Sequence, residues 1–394
     1  MSRLSELIAE LCPNGVEYRR LDELFATRNG YTPSRSNTSA WDSHDIPWFR
    51  MEDIRENGGI LDRALTYVSS SAVKNGVLFP ENSLLVATSA TIGAHALITV
   101  PHLSNQRFTS LQLKDEYQRY FNYRFLYYYC FVLDAFCLDH VNVSSFPSVD
   151  MKAFRSFKFP LVPLAVQCEI VRILDQFTTL EAELEAELEA RRTQYEHYRN
   201  HLLSYDSLTA RGPVEMVKLV DMLDMRAGNA ISSKYIFEQS DSEHIYPCYG
   251  ANGVRGYVRS MTHEHDASII GRQGALCGNV TYAYGPFFAT EHAVVVSPRV
   301  ELSQRWLYHA LIVANLSQYA TKSAQPGLSV RRVAEVEIPV PRLSEQYRIA
   351  ELLDRFDALV NDISSGLPAE IAARRTQYEH YRDRLLSFPE KHAD

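Results

Sequence analysis

The sequence predicts an α/β (mixed α+β) fold of two domains, related by a pseudo-two-fold axis and separated by two long helices that form an antiparallel coiled coil. Three observations support this prediction. The nonapeptide RRTQYEHYR occurs at residues 191–199 and again at 374–382. Apolar residues recur at steps of three and four before and through both copies. Short β-rich runs, separated by Gly, Asn and Pro turns, fill much of the remaining chain.

Weaker matches recur in the same order in both halves, which indicates a tandem duplication. The segment VEYRRLDEL (16–24) pairs with VEMVKLVDM (214–222), and SLLVATSATIGAHALI (83–98) pairs with ASIIGRQGALCGNVTY (267–282). The duplication predicts four consecutive parts: a first domain at 1–160, a first helix at 161–206, a second domain at 207–340 and a second helix at 341–390.

The helices follow from apolar stripes too long for a single packed core. After Pro163 the stripe continues for about 40 residues, which corresponds to a helix of about 60 Å. The second stripe is interrupted by Gly366 and Pro368, and a proline suits the first turn of a new helix. A break is therefore expected there. Pairing the two stripes as an antiparallel coiled coil is the simplest way to bury both.

Composition limits the function classes. The chain has 394 residues, 46% of them hydrophobic, and a formal net charge of −8, with the excess acid mainly in 161–211. Because phosphate neutralisation drives most non-specific affinity for nucleic acid, an acidic total argues against binding DNA through bulk charge. Any such role must rest on local surfaces or on the charge of a partner.

The six cysteines show no C-x-x-C pairing, which argues against a disulfide scaffold and a structural zinc site. The start MSRLSELIAELC lacks the apolar run of a signal peptide. The most apolar stretch, at 125–136, is too short for a membrane span. A cytoplasmic protein without contact to a membrane is therefore expected.

Catalytic motifs are missing from the sequence. There is no N-P-P-Y or D-P-P-Y motif of adenine methylation and no G-x-x-x-x-G-K-[ST] phosphate loop. The glycines at 250–256 have the wrong spacing for a dinucleotide and favour β-turns. We expect no catalytic residue, no metal site and no cofactor.

The repeated nonapeptide predicts a docking surface. Packing alone would preserve its tyrosines, yet the polar residues between them recur as well. A recent duplication is the alternative explanation, but the two domains have diverged far more over the same history. An identical surface implies one kind of partner bound twice. The predicted partner-binding residues are Arg191, Gln194, Tyr195, His197, Tyr198, Arg374, Gln377, Tyr378, His380 and Tyr381.

Several segments carry a family resemblance. They are ARRTQYEHYRxxLLS[YF] (190–205 and 373–388), EAELEAEL (181–188), GYTPSRSNTSAWDSHDIPWFRMEDI (30–54), LLVATSATIG (84–93) and NQRF (105–108). Through them the chain resembles the specificity subunit of type I restriction-modification systems over essentially its whole length. The second domain matches more loosely, through IYPCYGANGVRG (245–256), IIGRQGALCGN (269–279) and ATEHAV (289–294).

The resemblance implies a non-catalytic subunit of a restriction enzyme and adenine methyltransferase complex. Each domain would be a target recognition domain that reads one half of a bipartite site in double-stranded DNA. The helices would hold two modification (methyltransferase) subunits, and restriction (helicase-nuclease) subunits would join through the methyltransferase core. The alternative left open is a coiled-coil assembly protein whose domains bind proteins rather than DNA.

Candidate DNA contacts follow from residue type and from place in the family pattern. Arg, Lys, Asn and Gln read base edges, and these types together with Ser and Thr bind phosphates. For each candidate, a surface side chain without a DNA role is the alternative. The candidates are Arg28, Arg35, Ser89, Thr91, Gln106 and Arg107 in the first domain and Lys234, Arg255, Arg272, Gln273 and Asn279 in the second.

The acidic tract at 181–188 suggests a spacer. Each four-residue EAEL unit advances a helix by about 6 Å, and DNA rises by roughly 3.4 Å per base pair. One unit would therefore correspond to one or two base pairs of the gap between half-sites. A solvated acidic face on an ordinary helix explains the glutamates equally well.

Overall fold

The structure is a computed structural model that describes residues 3–42, 45–142, 146–321, 326–362 and 365–391, so residues 43–44 of the quoted 30–54 motif lie outside the described part. No helix in these ranges is long and apolar enough to cross a membrane. The α-helices are α1 (Arg3–Leu11), α2 (Leu21–Leu24), α3 (Met51–Asn57), α4 (Tyr123–Asp139), α5 (Met151–Ser156), α6 (Leu164–Leu202), α7 (Tyr205–Thr209), α8 (Leu219–Met222), α9 (Gln304–Val313), α10 (Val330–Ala334), α11 (Leu343–Asn361) and α12 (Leu367–Leu385).

The strands are short and fall into two groups that α6 separates along the chain. Those before α6 are β1 (Tyr18–Arg20), β2 (Phe25–Asn29), β3 (Ile46–Phe49), β4 (Ile60–Leu61), β5 (Tyr67–Val68), β6 (Ser83–Ala87), β7 (His95–Ile98), β8 (Leu103–Ser104), β9 (Phe108–Leu113), β10 (Val141–Asn142), β11 (Ser148–Val149) and β12 (Lys158–Pro160). Those after it are β13 (Val214–Lys218), β14 (Leu223–Ala227), β15 (Tyr246–Gly250), β16 (Gly253–Val258), β17 (Ala267–Gly271), β18 (Val280–Ala283), β19 (Phe288–Ala289), β20 (Ala293–Pro298) and β21 (Glu337–Pro341).

The chain folds into two compact units whose boundaries fall inside helices. Unit 1 comprises Met1–Ala182 together with Ala373–Asp394, and unit 2 comprises Glu183–Ala372. The first boundary cuts α6 and the second cuts α12. Each unit therefore contains the copy of the nonapeptide that follows the other domain in the sequence.

The two units share one sheet topology, as expected for a duplication. In unit 1 a five-stranded sheet has the order β2-β9-β6-β7-β4, and in unit 2 a four-stranded sheet has the order β14-β20-β17-β18. Each unit adds a three-stranded sheet, β5-β3-β8 or β16-β15-β19, and a strand pair, β1-β12 or β13-β21. The predicted mixed α/β fold class is confirmed, because each unit combines sheets of short strands with helices. The shared topology persists although the sequences of the two units have diverged.

Apolar runs, not alternating patterns, form the central strands because both faces of each main sheet are covered. In β6, Leu84 and Val86 pack into a core shared with α4, whereas Leu85 and Ala87 pack into a second core on the opposite face. All five residues of β6 are buried, as are all five of β17. The buried central strands therefore fix the positions at which the loops at the ends of each sheet begin.

The long helices pair antiparallel within each unit. In unit 1 the ring of Phe177 in α6 lies 6.1 Å from that of Tyr378 and 5.7 Å from that of Tyr381, both in α12. In unit 2 the ring of Tyr198 in α6 lies 6.0 Å from that of Phe356 in α11. The apolar stripes read from the sequence thus pack on helices of the other half, although the pairing leaves parts of them exposed, among them Leu180 and Leu359.

The second helical segment breaks where the sequence predicts. Helix α11 ends at Asn361 and α12 begins at Leu367, with Pro368 in the first turn of α12. The carbonyl of Gly366 accepts from the backbone N–H groups of Ala369 (3.0 Å) and Glu370 (3.2 Å), which starts the new helix. Proline fits there because the first-turn N–H groups have no partner within the helix.

Candidate functional site

Four predicted DNA-contact residues of unit 1 meet at one end of its five-stranded sheet. Ala87, at the end of β6, pairs with Phe108, at the start of β9. Just beyond them, the backbone N–H of Thr88 donates to the carbonyl of Arg107 at 3.0 Å. The sheet therefore holds together two loops that are distant in sequence. The residues gathered there are Ser89, Thr91, Gln106 and Arg107.

The two other candidates of unit 1 lie elsewhere. Arg28 is in β2, where its guanidinium donates to the carbonyl of Val77 at 3.0 Å and lies 4.8 Å from the centre of the Phe79 ring. Arg35 is exposed in the connection between β2 and β3. Arg28 thus has a structural role in the unit, and the DNA contacts of both residues stay predictions.

The loop after the central strand has a strained backbone in unit 1. Ala90 has φ of 65°, in the left-handed region that favours glycine, and Gly274 in the matching loop of unit 2 has φ of 91°. An alanine held there costs roughly 1–2 kcal/mol. Such strain persists only where surrounding contacts impose it, and it is common at functional sites. Both loops therefore place a residue with positive φ at the matching position despite their different sequences.

In unit 2, predicted residues line a cleft of about 560 Å³. Arg255 on β16 and Gln273 on the β17–β18 loop face it together with Asn252 and His292, which the sequence analysis missed. Asn279 joins this group because its Nδ2 donates to Oδ1 of Asn252 at 3.2 Å. We call the surface formed by Asn252, Arg255, Gln273 and His292 the unit 2 cleft.

Arg272 and Lys234 lie outside the unit 2 cleft. The backbone N–H of Arg272 donates to the carbonyl of His292 at 2.9 Å, and its side chain is exposed. Lys234 lines a different cavity, of about 550 Å³, with Tyr235, Phe237 and His244. The structure therefore brings together three of the five unit 2 candidates.

The first nonapeptide packs on unit 2 through Tyr195, which is only 4% exposed. Its hydroxyl lies 3.3 Å from Nδ1 of His309, and Nε2 of His309 lies 2.8 Å from Oδ1 of Asp354. Burial lowers the pKa of His309. A neutral His309 can accept from the tyrosine hydroxyl and donate to the carboxylate. Tyr195, predicted as a partner-binding residue, is thus buried within this chain, where it anchors the helix, and its exposed neighbours form the surface.

Two groups hold the Asp354 carboxylate. Arg305 donates to it from Nε at 2.9 Å and from a terminal nitrogen at 2.6 Å, in addition to the bond with His309. Burial alone would raise the pKa of Asp354, but these hydrogen bonds lower it below its ordinary value. The guanidinium of Arg305 also lies 4.3 Å from the centre of the Tyr282 ring.

The second nonapeptide packs on unit 1 through an equivalent network. The carboxylate of Asp175 accepts from Arg124 at 2.8 Å and from the hydroxyl of Tyr128 at 2.6 Å. The half-buried Tyr378 packs against the same core, and the guanidinium of Arg382 lies 4.4 Å from the centre of the Phe131 ring. The matched positions are Arg124 with Arg305, Tyr128 with His309, Asp175 with Asp354, and Tyr378 with Tyr195.

The nonapeptide copies also share the contacts of their surface side chains. In each copy an arginine donates to a glutamine three residues later, and a histidine ring meets the edge of the next tyrosine. The contacts are Arg191–Gln194 (2.8 Å), Arg374–Gln377 (3.3 Å), His197–Tyr198 (5.8 Å between ring centres) and His380–Tyr381 (5.7 Å). The two units thus present the same local surface.

Two exposed leucines extend this surface. Leu180 is 53% exposed and Leu359 is 42% exposed, each one helical turn after the phenylalanine that packs on a nonapeptide tyrosine. The sequence analysis missed both, although L-D-x-F-x-x-L at 174–180 and 353–359 is a detectable signal. We define patch 1 as Leu180, Gln377, His380 and Tyr381, and patch 2 as Leu359, Gln194, His197 and Tyr198.

Comparison with known proteins assigns the family. The family model for the type I restriction modification DNA specificity domain matches residues 13–190 and again residues 212–373. The chain belongs to this family of specificity subunits. The predicted resemblance is thereby confirmed.

Individual relatives agree with this assignment. The specificity subunit is similar to the type I restriction enzyme EcoprrI specificity subunit of Escherichia coli, with 50% identity over 92% of this chain and 93% of the relative. It is also similar to the EcoR124I/EcoR124II specificity subunit of Escherichia coli, with 35% identity over 58% of this chain and 61% of the relative.

Solved structures share the fold. A crystal structure of a type I restriction-modification system S subunit from M. genitalium matches with a TM-score of 0.54 at 16% identity, over 95% of this chain and 97% of that one. A chain from a structural study of assembly and conformational transition in the type I R-M system matches with a TM-score of 0.61 at 17% identity, over 95% and 98%.

Replacing Asp354 by alanine is expected to destabilise helix α9 of the specificity subunit by about 2–3 kcal/mol. The change leaves the fully buried His309 without its acceptor and leaves the 22%-exposed Arg305 with only the more distant carboxylate of Asp357, at 3.9 Å. Hydrogen–deuterium exchange across α9 measures the effect. The control is Glu351→Ala, which breaks a solvent-exposed pair with Arg355 on α11, the helix that also carries Asp354, and should change exchange little. Equal exchange in both variants would show that the network contributes no stability.

Proposed function

We propose that the two units of this specificity subunit read the two halves of a bipartite DNA site, and that patches 1 and 2 each dock one adenine methyltransferase subunit. Restriction subunits join through the methyltransferase core. The chain itself supplies recognition and geometry, and its partners supply the chemistry.

One observation carries the proposal: the same surface contacts recur on both units, while the loops after β6 and β17 differ in sequence. The loop after β6 reads TSATIG at 88–93, and the loop after β17 reads RQGALCG at 272–278. An identical surface on both units supports one kind of partner bound twice, because both copies keep the same donors and rings. Different loops on the same topology support two different sequences being read.

Charge explains why the partner matters for affinity. The chain carries a net charge of −8, so it repels the phosphate backbone at long range. The loops still expose local cations, among them Arg107 and Arg272. These local cations can contact phosphates and base edges, while a docked methyltransferase would supply the wider positive surface.

Methylation mapping tests the proposal. The chain is co-expressed with its cognate methyltransferase subunit, and a random DNA library is methylated and sequenced. We expect methylated adenines in two short half-sites at one fixed gap. Methylation without such a spaced site would contradict the proposal. A chain that assembles with protein partners but shows no sequence preference on DNA would support the assembly-protein alternative instead.

A further inference from the structure

The unit 2 cleft combines side chains from four separate stretches of chain. Asn252 lies in the β15–β16 turn, Arg255 on β16, Gln273 on the β17–β18 loop and His292 just before β20. All four side chains are polar, and two are carboxamides that carry both a donor and an acceptor. This set suits the recognition of a polar planar edge better than the binding of an apolar ligand.

A glycine on the neighbouring strand makes room for the stem of Arg255. A Cβ atom added at Gly250 would lie 2.5 Å from Cδ and 3.0 Å from Cγ of Arg255, so the arginine stem lies directly on the Gly250 backbone. Both residues belong to strands of one antiparallel pair. Arg255 therefore presents its guanidinium from a strand, with fewer rotamers to lose on binding than a loop arginine has.

The charge of Arg255 is not used within the fold. Nearby, Arg259 pairs with Glu243, and Arg305 pairs with Asp354. Arg255 takes part in none of the ion pairs found among the described residues, and its side chain is exposed. Its donors are thus available for a ligand.

The neighbouring carboxamide is also oriented. Nδ2 of Asn279 donates to Oδ1 of Asn252 at 3.2 Å, which directs the amide donors of Asn252 away from Asn279. The side chain of Gln273 enters the cleft from a loop whose backbone is tied at Gly274, where the N–H donates to the carbonyl of Pro326 at 3.0 Å. Arginine and carboxamides fixed side by side are the residue types that read adjacent bases.

We propose that Arg255 reads a guanine in the second half-site through the O6 and N7 atoms of that base. This inference rests on the proposed function and assigns a base to unit 2. The two parallel N–H donors of a guanidinium match these two acceptors in the major groove. Asn252 and Gln273 contact the adjacent base pairs, and Asn279 positions Asn252.

The test compares methylation maps of complexes that carry wild-type chain or Arg255→Ala. We expect one guanine position of the second half-site to lose its preference by roughly 5- to 150-fold, while the first half-site and the gap stay unchanged. Gly250→Ala should weaken the same position, because it displaces Arg255 without removing its charge. Arg259→Ala, which removes a cation already paired with Glu243, should leave the site unaltered.

Each other result overturns the inference. A uniform loss across all sequences would make Arg255 a phosphate contact, and loss of preference at an A·T base pair instead of a G·C pair would make the base assignment wrong. An unaltered site in Arg255→Ala would remove Arg255 from recognition. Failure of the proposed function is a separate result, since the wild-type complex would then yield no spaced two-part site.

Discussion

A chain with Leu180→Asp and Tyr381→Asp is expected to assemble with one methyltransferase subunit instead of two. Both changed side chains belong to patch 1 and are partly exposed, at 53% and 39%. Because each side chain is already about half buried in the free chain, burying the rest of both in an interface contributes about 1.5–3 kcal/mol, and a buried unpaired carboxylate adds a further cost. Affinity for one partner should therefore fall by at least about 10-fold. Native mass spectrometry of the co-purified complex counts the subunits.

The repeated architecture supplies a matched variant. Leu359→Asp with Tyr198→Asp changes patch 2 in the same way and should also remove one methyltransferase, while all four changes together should remove both. Leu138→Asp is the control, because this residue is 56% exposed on α4, outside both patches, and should leave two subunits bound. Two retained subunits in a folded patch 1 variant would contradict the docking assignment.

Inserting one further EAEL after Leu188 is expected to abolish methylation of the wild-type site and to create activity on a site whose gap is longer by one or two base pairs. Helix α6 runs unbroken from Leu164 to Leu202, and the boundary between the units falls within its acidic tract. Four extra residues lengthen a continuous helix by about 6 Å. Methylation mapping on a random library measures the gap directly.

A charge control separates the spacer from the solvated acidic face. Glu183→Gln with Glu185→Gln removes two charges from the tract without changing its length, so the gap should stay the same. If the insertion leaves the gap unchanged, the tract has no spacer role. If the glutamine variant alters the gap, charge and not length sets it.

Sequence reasoning found what repeats or is periodic in the chain. The nonapeptide, the stripe of α6 and the break at Pro368 are local patterns, so the helices could be placed without coordinates. The repeat led to Tyr195 being predicted as a partner-binding residue, whereas the structure buries it against its own chain. Its position beside His309 depends on tertiary contacts across distant sequence.

The candidate site was predictable in part for the same reason. Ser89 and Arg107 were found because each stands in a recognisable motif, and the sheet then brings their loops together. Asn252 and His292 stand in no motif and join Arg255 only through the packing of separate strands. Leu180 belongs to the apolar stripe of α6, so the sequence predicted it to be buried. The pairing of α6 with α12 leaves it exposed instead.

The division of the chain sets an order for folding during synthesis. Unit 2 is continuous from Glu183 to Ala372, whereas unit 1 also needs residues 373–394. Leu386 is 2% exposed in the core of unit 1, and the backbone of Val16 bonds to Pro389 and Lys391. The ribosome makes these residues after the whole of unit 2, so the domain translated first is completed last. Until then the nascent chain carries an unfinished core that chaperones would have to shield.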